Sequence, residues 1–241
     1  MLYAIVSDIH SNLSALLAVM SHIDGLKADT IVCLGDIVGY AADPGDCIKI
    51  IREKATTIVA GNHDAGTTGT TPLEHFNFLA REAILWTRGI LKSEEIEFLE
   101  GLPYTSESED CLLVHSSPVA PREWPYIFSR EQAWQAFNSC TNEVIFVGHT
   151  HRPMVFSAGG DGLRVHQPGE VKLVKGERYL INVGSVGQPR DGDPRASFAT
   201  YRSDNRTIEF HRIPYDIEKT QDGIIKADLP LDLATRLGIG F

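Results

Sequence analysis

Short apolar runs recur along this chain, and several stop abruptly at Gly, Asp, Asn or His. Tyr3-Ala4-Ile5-Val6 is followed by Asp8 and His10, and Ile31-Val32-Cys33-Leu34 by Gly35-Asp36. Ile58-Val59-Ala60 leads into Gly61-Asn62-His63-Asp64, Leu112-Leu113-Val114 ends at His115, and Val144-Ile145-Phe146-Val147 runs into Gly148-His149-Thr150-His151. Runs of this length, rich in Val and Ile and bounded by turn residues, read as strands that all end in metal-ligand chemistry.

Between these runs the spacing of apolar residues changes to that of a helix. Asn12 stands as an N-cap before Leu13, Leu16, Leu17 and Met20, which share one helical face. Asp43-Pro44 has the chemistry of an N-cap and first helical position ahead of Cys47, Ile48, Ile50 and Ile51. Helices are also expected over 74–91 and 93–101, the second opened by Ser93 with Glu94 and Glu95 in its first turn. A further one follows Ser129, which forms a capping box with Gln132.

From Pro153 the pattern becomes short extended segments punctuated by Gly, Pro and Asp, at 154–156, 163–166, 171–174, 179–183, 197–201 and 207–212. These predict a second, largely antiparallel sheet. The expected fold class is α/β: a four-layered α/β/β/α sandwich of two packed mixed sheets flanked by helices. No linker composition interrupts the chain, so residues 1–241 are expected to form one domain. Residues 214–241 show little pattern beyond a short helix near 232–237.

Composition narrows the function classes. The 241 residues are 43% hydrophobic, enough for a substantial core. No segment approaches the roughly 18–20 apolar residues that cross a bilayer, and the first residues lack a secretory pattern, so a cytoplasmic location without a membrane partner is expected. Cys33, Cys47, Cys111 and Cys140 are scattered, without a C-x-x-C pair, and read as reduced thiols. A formal charge of −10 argues against dedicated nucleic-acid binding. Bound cations would invert the field locally and could still draw in a phosphorylated substrate.

Each polar block is weak alone. Asp8-x-His10 in extended backbone would put a carboxylate and an imidazole on the same side, though such pairs are usually surface residues. Gly35-Asp36 is ordinary turn chemistry, or a carboxylate bridging two metals with its two oxygens while the glycine lets the backbone pass close. Gly61-Asn62-His63-Asp64 is an Asx turn with a surface histidine, or a neutral ligand beside a centre already rich in anionic donors. A lone strand histidine such as His115 is usually a satisfied core residue. Gly148-His149-Thr150-His151 is the most specific block, because a strand end there would deliver two imidazoles to one small volume, one for each of two metal ions.

In their order, D-x-H, G-D, G-N-H-D, H and G-H-T-H, these motifs resemble the calcineurin-like metallophosphoesterase superfamily. The opening Ser7-Asp8-Ile9-His10-Ser11-Asn12 and the later 182–190 segment are most similar to its compact bacterial and archaeal phosphodiesterase branch. The resemblance implies one metal held by Asp8, His10, Asp36 and His151 and another by Asp36, Asn62, His115 and His149, with Asp36 as the bridge. It implies hydrolysis of phosphodiesters or phosphomonoesters by a hydroxide shared between ions about 3.5–4 Å apart. His63 resembles the general acid for the leaving oxygen, oriented by Asp64, and Arg190 reaches a phosphoryl oxygen or pairs with Asp191 or Asp193 in a turn.

Tyr40 and Asp43 either line the substrate cleft or are loop and cap residues. His22, His75, His166 and His211 match no motif position and read as structural. Mixed imidazole and carboxylate donors suit two divalent transition-metal ions, manganese first, with iron, zinc, nickel or cobalt also fitting. The expected substrate is a phosphorylated small molecule or nucleotide, and self-association through the region after Pro153 stays open. The alternative is a protein-binding scaffold of the same fold, which some members become after losing ligands. Here every ligand position is filled. A serine hydrolase is disfavoured because no G-x-S-x-G elbow occurs.

Overall fold

Parallel pairing within two mixed sheets decides where the chain's polar blocks meet. The structure, a computed structural model, describes residues 1–108 and 111–241. The first sheet is built from β1 (Leu2–Val6), β2 (Thr30–Cys33), β3 (Thr57–Ile58), β9 (Glu170–Lys172), β11 (Ala196–Arg202) and β12 (Thr207–Ile213), in the order β3-β2-β1-β11-β12-β9. The second uses β4 (Thr105–Ser108), β5 (Cys111–Val114), β6 (Val144–Val147), β7 (Met154–Gly159), β8 (Gly162–His166) and β10 (Arg178–Asn182), in the order β4-β5-β6-β10-β7-β8. β1, β2 and β3 are parallel neighbours, as are β5, β6 and β10, and the remaining pairs are antiparallel.

The late strands therefore do not form a sheet of their own, contrary to the sequence expectation. β7, β8 and β10 extend the sheet of β5 and β6, while β9, β11 and β12 extend that of β1 to β3. Periodicity reports which face a side chain takes but not which strand it pairs with. Each parallel core has an open edge that must be covered, and the returning chain covers both.

The four layers follow from strict alternation. Ala4, Val6, Ile31 and Cys33 pack outward against α1 (Leu13–Leu26) and α2 (Pro44–Lys54), whereas Ile5 and Val32 point to the other sheet. From the second sheet Leu113, Phe146, Val155 and Ile181 meet them, and Leu112, Val114, Ile145 and Val147 pack outward with α6 (Arg130–Ser139). Continuous apolar runs occur in β1, β2, β5 and β6 because both faces of these strands are buried.

Helix starts largely follow the capping chemistry. The Asn12 side chain accepts from Ala15 N at 3.1 Å, and Ser129 Oγ accepts from Gln132 N at 3.2 Å while Gln132 reaches back to Ser129 N. The expected helix over 74–91 is divided, because Asn77 caps α4 (Phe78–Ile90) through Ala80 N and leaves only a single 3-10 turn at Leu73–His75. In α5 (Ser93–Glu100) Lys92 rather than Ser93 is the cap position, and Glu95 accepts the Lys92 N–H at 2.7 Å. Gly61 opens a helix, α3 (Asn62–Thr68), in place of the Asx turn that was one of the two sequence readings.

The tail is ordered. Asp216 caps α7 (Ile217–Lys226), which the sequence did not predict, and α8 (Leu231–Thr235) runs into a 3-10 turn at Arg236–Gly238. Ile224, Leu229, Leu233 and Leu237 pack on Ala80 and Ala83 of α4 and on Tyr40. All four cysteines are free, and among the described residues no helix is long and apolar enough to cross a membrane.

Candidate metal centre

Parallel strands end at the same edge, so the residues after β1, β2, β3, β5 and β6 converge where the two sheets open. Such carboxyl-end crevices are where α/β sheets place their ligands. Asp8, His10, Asp36 and His151 form one buried group whose donor atoms lie within 4.8 Å of one another, and Asp36, His115 and His149 form a second. Asn62, at the start of α3, joins the second group with its Oδ1 3.1 Å from His115 Nε2.

The backbone that delivers them is not extended, as the sequence reading assumed. Asp8, His10, Asp36, His149 and His151 all have left-handed φ, between 51° and 66°. That conformation costs roughly 1–2 kcal/mol at each non-glycine residue and persists only where surrounding contacts over-determine it. Here those contacts are main-chain bonds between loops: Asp8 N donates to Gly35 O at 3.0 Å, Ile9 N to Asp36 O at 2.8 Å, and Gly187 N to Asp8 O at 2.9 Å. The two loops after β2 and β3 touch backbone to backbone. A Cβ on Gly35, itself at φ +91°, would collide with Gly61 N, and a Cβ on Gly61 would collide with Asp36 N.

Hydrogen bonding at the far nitrogen of each imidazole fixes what the near one offers. His10 Nδ1 lies 3.2 Å from Val38 O, His151 Nδ1 2.5 Å from Gln188 O, and His115 Nδ1 2.8 Å from Leu34 O. Carbonyls only accept, so each Nδ1 carries a hydrogen and each Nε2 points to the centre, where it offers a lone pair when the ring is neutral. His149 is reversed: its Nε2 donates to Trp124 O at 3.0 Å, leaving Nδ1 for the centre. The inward lone pairs crowd one another. His10 Nε2 is 3.0 Å from His151 Nε2, and His115 Nε2 is 3.3 Å from Asp36 Oδ2. Acceptors facing one another at these distances repel unless a proton or cation lies between them, so the donor set fits divalent transition metals.

Asp36 stands between the two groups with a single oxygen, not the two that the sequence reading assigned. Its Oδ2 lies 3.6 Å from His10 Nε2 and 3.3 Å from His115 Nε2, while its Oδ1 accepts the His63 main-chain N–H at 2.8 Å. Asp8 Oδ1 is 3.3 Å from His151 Nε2, and both Asp8 oxygens accept from His149 N.

Charge placement is compensated within the cluster. Burial raises the Asp8 carboxyl, but His151 and His115 overturn this and hold it at about 2. Burial lowers His115, yet the carboxylates of Asp36 and Asp8 lift it to about 9. Burial keeps His10 and His149 well below the usual histidine range.

His63 lies beside this cluster, its ring 4.8 Å from His10 and 4.4 Å from Tyr40, with a buried Nδ1 that has no hydrogen-bond partner among the described residues. Burial first, and Arg190 after it, bring its pKa down to about 4 against the pull of Asp36. Asp64 does not orient the ring. Its carboxylate accepts from Ile37 N, Val38 N and Gly61 N at 2.9, 3.2 and 3.0 Å, tying α3 to the loop after β2. Burial and the neighbouring Asp36 push Asp64 up to about 7.

Arg190 makes neither of the carboxylate pairs considered from sequence, because Asp191 pairs with Arg212 and Asp193 with Arg195. Instead its guanidinium bonds Gln188 Oε1 at 2.7 Å and the Tyr40 hydroxyl at 3.3 Å. Asp43 stays at the α2 N-terminus. His166 and His211 bond Ser157 and Thr200, and His22 packs on Phe198, as structural histidines do.

A cleft of about 120 Å³ opens beside Asn62, His63 and His149, walled by Tyr40, His75, Phe76, Trp124 and Tyr126. His75 therefore borders the site rather than serving the core. Trp124 and Tyr126 were missed from sequence, although the aromatic-rich stretch Trp124-Pro125-Tyr126-Ile127-Phe128 marked them.

The calcineurin-like phosphoesterase superfamily domain matches residues 1–206. The uncharacterized protein MJ0912 of Methanocaldococcus jannaschii is 42% identical over 241 residues, covering 98% of this chain and 97% of that one. The crystal structure of a metallophosphoesterase from Sphaerobacter thermophilus is similar at TM-score 0.89 and 39% identity, covering 100% of this chain and 99% of the other. The hypothetical protein PH1004 of Pyrococcus horikoshii shares the fold at TM-score 0.81 and 19% identity, covering 100% and 98%. With its strand-end histidines and carboxylates in one buried cluster and this match along most of its length, the chain belongs to the calcineurin-like phosphoesterase superfamily.

Proposed function

We propose that the protein hydrolyses phosphate esters with two divalent ions, one held by Asp8, His10, Asp36 and His151 and the other by Asp36, Asn62, His115 and His149. The observation that carries this reading is the crowding of inward imidazole nitrogens, with His10 Nε2 and His115 Nε2 against one Asp36 oxygen and His10 Nε2 against His151 Nε2. Two bound ions would supply an activated water and positive charge for the phosphoryl oxygens. Manganese is the expected metal for activity in vitro, since the donors mix nitrogen and oxygen.

The chain's own groups complete the task. Arg190 has no carboxylate partner among the described residues, and its fork sits beside Tyr40 at the edge of the centre, where it can offset phosphoryl charge. His63 lines the cleft and is our candidate donor to the leaving oxygen. Its low pKa leaves it neutral at pH 7, and an approaching anionic phosphate raises it toward the protonated form that a general acid needs.

A panel of phosphodiesters and phosphomonoesters with Mn²⁺, and with chelator as control, tests the reading. Metal-dependent turnover is expected. Failure to cleave any ester in the two-metal protein would sink it and favour a binding scaffold. His63→Ala should keep its metal and slow alkyl esters more than activated aryl esters. Equal slowing of both would remove the general-acid role.

A further inference from the structure

Docking of the tail sets a second arginine beside Arg190. Gly240 packs on the loop that follows Arg190: its carbonyl accepts from Gly192 N at 2.9 Å, and a Cβ on it would collide with the Asp193 main chain. Leu237 shares an apolar cluster with Tyr40, whose hydroxyl lies 3.3 Å from a terminal nitrogen of Arg190. Arg236 precedes Leu237 and is thereby held next to Tyr40 and Arg190, close enough for its charge to act on both.

Two like charges therefore meet in a chain whose formal net charge is −10. Among the described residues neither guanidinium pairs with an Asp or Glu: Arg190 spends Nε and one terminal nitrogen on Gln188 Oε1 at 3.2 and 2.7 Å, and Arg236 donates its Nε to Phe241 O at 2.6 Å. Both side chains are half-buried. Burial first and repulsion from Arg190 next lower the Arg236 pKa, with Tyr40 and Asp232 pulling more weakly the other way. Cations brought together away from water cost free energy unless an anion joins them. Gln188 adds a donor on the same side, because it is 1% exposed and its Nε2 has no hydrogen-bond partner among the described residues.

Charge counting identifies the anion. With neutral imidazoles, two divalent ions against Asp8 and Asp36 carry two net positive charges, which one phosphate monoester dianion cancels. Arg190 and Arg236 supply two more. That is the charge of a second phosphoryl group, and guanidinium forks match its array of oxygens, whereas a carboxylate would cancel only one of the two.

We infer that Arg190 and Arg236 form an anion subsite beside the metal centre and that the substrate carries a second phosphoryl group there, in addition to the one hydrolysed. This rests on the phosphoesterase reading for the position of the first group. The family match ends at residue 206, and Arg236 lies in the tail beyond it, so the preference comes from the tail rather than from the shared domain.

Bisphosphates of ethanediol, butanediol and hexanediol scan the span between the two groups, each compared with the monophosphate of the same diol. Binding to the Mn²⁺-loaded protein is measured by calorimetry for the wild type and Arg236→Gln, with circular dichroism and metal content establishing that both are folded and loaded. A charge-assisted pair at the second subsite is worth roughly 10- to 150-fold, or about 1.5–3 kcal/mol. At least one bisphosphate should therefore bind about tenfold tighter than its monophosphate, or more, and Arg236→Gln should bring that ratio toward one. Equal affinity within every pair in the wild type, or a ratio that Arg236→Gln leaves unchanged, overturns the subsite. If that variant does not fold, Arg236→Lys takes its place. It keeps the charge but loses the fork, so the ratio should fall to about half or less, and an unchanged ratio overturns the subsite equally. Turnover separates the two readings. Bisphosphate preference without cleavage of any of these esters keeps the subsite and refutes the hydrolase, whereas cleavage of mono- and bisphosphates with equal KM does the reverse.

Discussion

Substituting Gly61 by Ala tests whether the backbone contact between the loops after β2 and β3 holds the centre together. The added Cβ would sit closer than 3.0 Å to both Asp36 N and Asp36 Oδ1, while ordinary contact begins at 3.4 Å. One loop must therefore retreat by more than 0.4 Å, the difference between those limits. Metal–ligand distances tolerate about 0.2 Å, so the displacement exceeds what either group sharing Asp36 can absorb. Overpacking of this kind costs roughly 1–3 kcal/mol, and for a chain of this size each kcal/mol shifts the melting midpoint by roughly 2–4 °C. The variant should thus melt about 2–12 °C lower in chelator and retain less than half the wild-type manganese by elemental analysis. Gly25→Ala is the control, because nothing lies within 4 Å of its Cβ and it is in α1, where Ala is favoured over Gly by roughly 0.5–1 kcal/mol. A Gly61→Ala protein with full metal content and an unshifted midpoint would refute the argument.

Asp36→Asn should lower metal content in both positions at once, since Oδ2 faces both groups; loss of only one ion by elemental analysis would remove the bridging assignment. Manganese binding at pH 7 should release about one proton from His115, which the metal-free protein holds at about 9 and which must be neutral to ligate. The sign follows: below pH 9 that proton opposes the metal, so affinity falls as pH falls. Calorimetric heats that do not depend on the buffer's ionisation enthalpy would count against it. Leu233→Ala, fully buried in the cluster joining the tail to α4 and Tyr40, should cost about 2–5 kcal/mol in urea unfolding. An unchanged unfolding midpoint would mean that the tail does not dock there.

Much of the site was legible because its chemistry is carried by residue type at strand ends. The strands themselves announced their position through unbroken Val and Ile runs, which are needed when both faces are buried. The tail was illegible for the opposite reason: Ile224, Leu229 and Leu233 pack on a surface made by α4 and the loop after β2, so their meaning lies in a partner distant in sequence. The partners of Asp64 and Arg190 were illegible for the same reason. Their neighbours in the chain suggested His63, Asp191 and Asp193, whereas the fold brings Ile37, Val38, Gln188 and Tyr40 to them.

Sequence alone determined the identity and order of the candidate metal donors, the α/β class and most helix starts, because side-chain chemistry, two-residue alternation and capping are local properties. Tertiary structure decided how the late strands divide between the sheets, and that the donors ride on left-handed backbone. It also decided which nitrogen each imidazole turns inward and that an aromatic cleft borders the centre. These depend on main-chain hydrogen bonds and contacts between segments far apart in the chain, which no local pattern encodes.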